Sequence, residues 1–183
     1  MKVAIVAIIL MLILACAWAG RLGVLALSLA ISATGAFELY GSLRSPAPAF
    51  RAIVCGVYVP LGITTICFAI VVSPASVAYI YLVVAVFDAS RRFAPRFGLA
   101  TGILAAMILA ILTRSLAMLN IWGALQTGLW TSAAALTADL CVSWIKRKSG
   151  IERFGNWLPQ GGVLDRFDGL LFAAPVALLV FGH

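Results

Sequence analysis

The sequence predicts an all-α, polytopic integral membrane bundle of five to seven transmembrane helices, and three features carry that expectation. Hydrophobic residues make up 64% of the 183 and charged residues only 10%, whereas a soluble domain is about a quarter charged. Mean hydropathy is +1.13, and a globule of this size has too little interior to hide so many apolar side chains. The apolar residues also come in long runs with the charges gathered between them. The net charge of +7, from 13 Lys+Arg against 6 Asp+Glu, then points to cytoplasmic loops and to anionic partners such as lipid headgroups or nucleotides. Nothing reads as a nucleic-acid module, so no nucleic acid is expected as a partner.

A membrane-crossing helix takes about 17–25 mostly apolar residues. Residues 3–19 are slightly short for this but unbroken; 22–43, 52–72, 97–119 and 121–145 are long enough. Residues 77–87 and 169–182 are shorter. At about 1.5 Å per residue they predict half-spans, helices in a thinned bilayer, or helices extended by their flanks. Lys2 ahead of an apolar run containing Ile13-Leu14-Ala15-Cys16 has the outline of a signal peptide. A second long run follows after only Gly20 and Arg21, so an uncleaved helix is the favoured reading. No repeat, low-complexity tract or soluble domain interrupts residues 1–183, which read as one membrane domain.

If all seven segments cross, most basic residues share a face. Lys2, Arg44, Arg51, Arg91, Arg92, Arg96, Lys146, Arg147, Lys148, Arg153 and Arg166 fall together, while residues 73–76 and the surroundings of Asn120 carry none. Arg21 and Arg114 depart from the pattern, Arg114 lying inside a span near its outer end. The positive-inside rule makes the basic face cytoplasmic. Trp122, Trp144 and Trp157 near span ends read as interfacial anchors.

Absences narrow the chemistry. His183, the last residue, is the one histidine, so Ser-His or Cys-His catalysis and His-rich metal sites are not expected. Cys16, Cys55, Cys67 and Cys141 lie in apolar runs without CxxC spacing and read as small membrane-core residues. The acids are Glu38, Asp88, Asp139, Glu152, Asp165 and Asp168.

Four of those six acids and five of the 13 basic residues fall within residues 139–169. On a helix Asp139, Ser143 and Lys146 stand at i, i+4 and i+7, a polar stripe about 10 Å long. An ionisable group at the position of Asp139, inside an apolar span, is costly and faces either a partner or a water-filled cavity. Gly155, Gly161 and Gly162, with Pro159 between them, form a loop whose backbone can approach a ligand closely. Asp165 and Asp168 follow at i, i+3, so a helical turn puts both carboxylates on one face. Paired carboxylates suit Mg²⁺, which takes one or two of them plus phosphate oxygens and water. Lys146, Arg147 and Arg166 can neutralise phosphates, Arg through a bidentate fork. The alternative is that Asp168 merely caps the last helix while Arg166 snorkels.

These residues are where the chain resembles the phosphatidate cytidylyltransferase (CDP-diacylglycerol synthase) family. The family signature runs Ser, two residues, Lys-Arg, four residues, Lys-Asp, then a Pro-Gly-His-Gly-Gly loop leading into Leu-Asp-Arg-x-Asp. Ser143, Lys146 and Arg147 match its opening, and Leu164, Asp165, Arg166 and Asp168 its close. Asp139-Leu140 resembles the Gly-Asp-Leu just upstream, and the match is strong over about 30 residues. Weaker echoes are Phe37-Glu38-Leu39, and Asp88 followed by Arg96-Phe97-Gly98. The chain departs from the pattern at Glu152-Arg153, which stand where the family has Lys-Asp. The carboxylate is thereby displaced to Glu152, whose side chain would point elsewhere on a helix or strand. Pro159-Gln160-Gly161-Gly162 replaces the five-residue loop, and Val142 stands where Glu is frequent. The family's Ser-Pro-Lys-Lys-Thr-Trp-Glu-Gly stretch is absent, and the chain is shorter than typical members.

The resemblance implies a membrane nucleotidyltransferase in which phosphatidate attacks the α-phosphate of CTP, yielding CDP-diacylglycerol and pyrophosphate for phospholipid synthesis. It implies Mg²⁺ or another divalent cation on Asp165 and Asp168, joined by Asp139. Lys146, Arg147 and Arg166 would act on phosphates, Ser143 would orient substrate, and Gly161 and Gly162 would line the binding loop. The signature segment 139–168 is expected at the cytoplasmic face of a bacterial inner membrane, and a homodimer is left open. The alternatives are a non-catalytic lipid-binding descendant, a CDP-archaeol type enzyme acting on ether lipids, and a small transporter using Asp88, Arg114 and Asp139. A transporter predicts charge spread through several spans, whereas here it gathers at one surface.

Overall fold

The computed structural model describes residues 2–43, 48–93, 98–155 and 162–181, and over these the chain is helical with no strand. Seven α-helices follow in order: α1 Lys2–Trp18, α2 Gly20–Ser42, α3 Pro48–Val71, α4 Pro74–Phe93, α5 Gly98–Leu112, α6 Ile121–Ser149 and α7 Leu164–Phe181. By length and composition α2 and α3 can each cross a bilayer. The bundle is an all-α membrane fold. Its outer surface says the same: Ile53, Ile63 and Ile70 on α3, Leu104 and Ile108 on α5, and Leu140 on α6 are all at least half exposed. Such apolar area is untenable in water and normal against lipid.

Successive helices run up and down, so the ends of α2, α4 and α6 meet the starts of α3, α5 and α7. Arg51 at the start of α3 lies 5.9 Å over the Tyr40 ring near the end of α2. Gly98, which opens α5, lies against Arg91 near the end of α4. Most of the charge lies at this end.

Of the readings open for the short segment 77–87, the structure shows the helix extended by its flanks. The segment belongs to a 20-residue helix, α4, that touches every other α-helix of the bundle. Val77, Tyr79, Ile80, Tyr81 and Val83 are essentially inaccessible. A helix surrounded by protein does not need a full-length apolar run, because its polar groups find partners on its neighbours. The Tyr81 hydroxyl is 2.8 Å from Ser28 Oγ on α2, and Ser28 in turn donates to the Val24 carbonyl (2.9 Å). Tyr79 donates to the Ala110 carbonyl on α5 (3.3 Å).

Segment 169–182 likewise belongs to a longer helix, α7, of 18 residues that begins at Leu164. The expected span 97–119 is instead broken. α5 stops at Leu112, and Arg114–Ala117 form a 3₁₀ turn ending at Met118, at φ 52°. Arg114 therefore lies beyond the helix rather than within a span. α6 runs past the expected 145 to Ser149 and stops at Gly150, whose φ of 66° is the left-handed cap that glycine supplies. The amides of Gly150 and Ile151 return to the carbonyls of Arg147 and Lys146. No two of the four cysteines are bonded to one another; Cys67 is exposed, and Cys16, Cys55 and Cys141 are partly buried rather than in the core.

α5 and α6 approach closely because small residues face each other. A Cβ on Gly128 would sit 3.0 Å from Met107 Cα. Gly128→Leu should therefore force the two backbones apart and lower stability by about 1–3 kcal/mol, measured as a reduced midpoint of unfolding in detergent.

Candidate active site at one end of the bundle

The site forms where α6 ends and α7 begins. Asp139, Ser143 and Lys146 project from α6, Glu152 and Arg153 lie on the irregular segment after Gly150, and Asp165 and Asp168 come from the first two turns of α7. With Val142 these residues line one open polar cleft of about 660 Å³ including its mouth. The structure thus brings together both halves of the motif. Glu152 and Arg153 both border the cleft because the segment they occupy is neither helix nor strand. The expectation that neighbouring side chains must diverge does not hold there.

Asp165 is the centre of the arrangement. Its Oδ1 lies 2.7 Å from Lys146 Nζ. Its Oδ2 accepts the amides of Phe154 (3.4 Å) and Gly162 (3.3 Å), tying the two sides of the connecting loop to α7. Asp168 is 7% exposed and accepts the Gly169 amide at 2.8 Å. Because α7 starts at Leu164, Asp168 sits in its second turn and is not the cap.

Asp139 forms an ion pair with Arg91 of α4, so it serves the α4–α6 packing as well as lining the cleft. Arg91 also lies 5.3 Å over the Phe87 ring, in a space that Gly102 leaves open. Asp88 and Arg166 border an adjoining cavity that shares Asp139 and Asp168 with the cleft. Arg147 is exposed, donates from Nε to the Ser143 carbonyl (3.3 Å), and does not line the cleft. Gly161, Pro159, Gln160 and Trp157 lie outside the described residues, as do Arg44, Arg96, Phe97 and His183.

Glu38 is the residue that sequence reasoning underrated. It is 4% exposed, near the end of α2, and its carboxylate accepts the amides of Val163 (2.9 Å) and Leu164 (2.8 Å). Val163 supplies the first carbonyl acceptor of α7, to Arg166 and Phe167, but its apolar side chain cannot cap a helix. Glu38 does so from 125 residues away. The described loop glycines approach this carboxylate: a Cβ on Gly162 would fall 2.3 Å from Glu38 Oε2, and one on Gly155 would fall 2.8 Å from Oε1. Ser42, one turn further on, donates to the Phe154 carbonyl. The available signal was a lone acid in an apolar helix together with glycines far along the chain.

An apolar groove of about 750 Å³ adjoins the polar cleft. Val54 and Val57 of α3, Ile145 of α6 and Leu171 of α7 are among its walls, and Val142 and Asp168 border both spaces. The donor set suits a divalent cation shared with a ligand. Asp165 Oδ1 is buried and accepts no directed hydrogen bond, although Lys146 lies beside it. No cluster of three or more Asp, Glu, His or Cys groups able to cage an ion occurs among the described residues. Two carboxylates completed by phosphate oxygens and water is a Mg²⁺ arrangement.

Residues 96–182 match the model of the cytidylyltransferase family, and this match together with the relatives below supports a divergent member of that family. A phosphatidate cytidylyltransferase of Brucella abortus is 38% identical over 138 residues, which cover 67% of this chain and 48% of that protein. One from Rickettsia bellii is 39% identical over 94 residues, 46% of this chain and 41% of the relative. One from Thermotoga maritima is 52% identical over 44 residues, 24% of this chain and 16% of the relative. The chain spans less than half the length of each of these proteins.

The Arg91–Asp139 pair is partly shielded, with side-chain exposures of 27% and 31%. Arg91→Ala should cost about 1–2 kcal/mol, between the values typical of exposed and buried pairs. The Arg91→Ala, Asp139→Ala double variant should lose less than the sum of the two, as read by unfolding in detergent.

Proposed function

We propose that the chain transfers the cytidylyl group of CTP to phosphatidate, forming CDP-diacylglycerol and releasing pyrophosphate. The observation that carries this reading is the contact between two unlike spaces. A polar cleft suited to a cation and a polyphosphate meets an apolar groove suited to a lipid chain, with Asp168 and Val142 bordering both. The family match and the printed names of the relatives support the same chemistry.

In this reading an oxygen of the lipid phosphate attacks the α-phosphorus of CTP, and the bond from that phosphorus to the β-phosphate's bridging oxygen breaks. The phosphate monoester is already deprotonated at neutral pH, so no general base is needed for the attack. The protein's task is to position the reactants and offset their charge. Asp165 and Asp168 would hold Mg²⁺ or another divalent cation, which supplies neutralisation of the triphosphate. Lys146, held by Asp165, presents a fixed positive charge to the phosphates. Arg153 adds a second at the cleft, while Glu152 keeps a carboxylate nearby. Ser143 orients substrate by hydrogen bonding, and Asp139 stays paired with Arg91. The basic residues near this end of the bundle support its assignment to the cytoplasmic face of an inner membrane, where CTP is available.

One observation favours a second reading. Lys146 already neutralises Asp165, and Glu152-Arg153 carry their charges in the order opposite to the family's Lys-Asp. A member that binds anionic lipid without transferring anything would retain the groove and the basic residues.

Purified protein with CTP, Mg²⁺ and phosphatidate should yield lipid-linked cytidine, and chelation by EDTA should abolish it. Asp165→Asn should lower the rate at least about 100-fold. No product under conditions where a full-length relative works would favour the binding reading; product insensitive to Asp165→Asn would refute the site. Val57→Trp should fill part of the groove, raising KM for phosphatidate several-fold and leaving KM for CTP unchanged.

A further inference from the structure

We propose that Glu38 of α2 is a positioning residue: by accepting the Val163 and Leu164 amides it sets where α7 begins, and so where Asp165 and Asp168 stand. The inference rests on the reading that these two carboxylates hold a divalent cation.

Three observations converge on Glu38. Its carboxylate is almost wholly buried yet meets two backbone donors at 2.9 and 2.8 Å. A negative group against the first amides of a helix is matched by the helix dipole. Gly155 and Gly162 lie so close to the carboxylate that any side chain there would displace it or the loop. Asp165, in the first turn of the capped helix, returns its own Oδ2 to the Phe154 and Gly162 amides. The cap and the cleft thus share the same short stretch of backbone. Residues 162–165 cannot shift without moving both Glu38's partners and the carboxylate that Lys146 faces.

Among the described residues, no other side chain is placed to replace this cap. Val163 and Leu164 are apolar, and Asp165 reaches back only as far as Gly162 among the helix-start amides. Without the Glu38 carboxylate, two amides at the start of α7 would be buried without an acceptor, and the first turn would fray or shift. Gln in its place keeps the volume but offers one acceptor oxygen and turns an NH₂ group toward backbone donors.

The test uses the full chain in detergent micelles with Mn²⁺ as a paramagnetic probe. Free Mn²⁺ is followed by electron paramagnetic resonance, and backbone protection by hydrogen exchange. Glu38→Gln should raise exchange at Val163 and Leu164 about tenfold or more, while amides near Ser28 in α2 stay within about twofold. The same variant should weaken Mn²⁺ binding about tenfold. Gly162→Ala should reproduce both effects. Adding Gly162→Ala to Glu38→Ala should then cost little more, because the clash and the lost contact are one event. This second route also keeps the test decisive if Glu38→Gln folds poorly.

Unchanged exchange at Val163 and Leu164 would overturn the cap. Raised exchange with Mn²⁺ affinity within about twofold of wild type would overturn the positioning role. If the unsubstituted chain shows no Mn²⁺ binding sensitive to Asp165→Asn, the cation reading itself fails and the positioning role falls with it. The exchange data would still report separately on the cap.

Discussion

An ionisable side chain in a lipid-embedded bundle must be met by a partner, because hydrocarbon gives it nothing to bind. Three such pairings tie one end of this molecule together. Arg91 and Asp139 join α4 to α6, Lys146 and Asp165 join α6 to α7, and Glu38 joins α2 to the first amides of α7. Each satisfies a costly group, and together they fix four helix ends around one cleft. The polar site is therefore also a structural joint, and its charges are oriented before any ligand arrives. Such preorganisation is what makes fixed charges effective in a site partly shielded from water.

The cleft has an unusual neighbour. On one side of Asp168 the walls are charged; on the other they are apolar, aliphatic and aromatic, and lead toward the lipid-facing surface of α3. Val142 stands at the boundary, which helps to make the change of polarity abrupt. A ligand with a phosphate head and a hydrocarbon tail would span that boundary, whereas a free nucleotide has use for the polar side alone. This division is the physical content of the proposed cytidylyl transfer.

The departures at Glu152-Arg153 also gain a different meaning in three dimensions. Gly150 stops α6, and the residues after it adopt no regular structure. Strict alternation or helical rotation does not govern their side chains, so an acid moved by one position still borders the cleft. Conversely, Arg147 matches the signature but sits on the outer face of α6, bound to the backbone one turn back. A position in a motif and a position in a site are separate properties, related through the local backbone.

Much was legible in the chain itself. Hydrophobic runs and the clustering of charge mark a helical membrane protein, because the bilayer imposes a minimum apolar length and a steep cost on stray charge. The i, i+4, i+7 stripe of Asp139, Ser143 and Lys146 and the i, i+3 pair Asp165 and Asp168 follow from helical geometry alone. Tertiary structure decided the rest. It put the short 77–87 run at the centre of the bundle, where neighbouring helices replace lipid, and it moved Arg114 out of the α-helical span into a 3₁₀ turn. It also gave the described loop glycines a carboxylate to pack against, from a helix more than 100 residues earlier. Local periodicity reports which face a residue occupies on its own helix; only the packing of distant helices determines what that face meets.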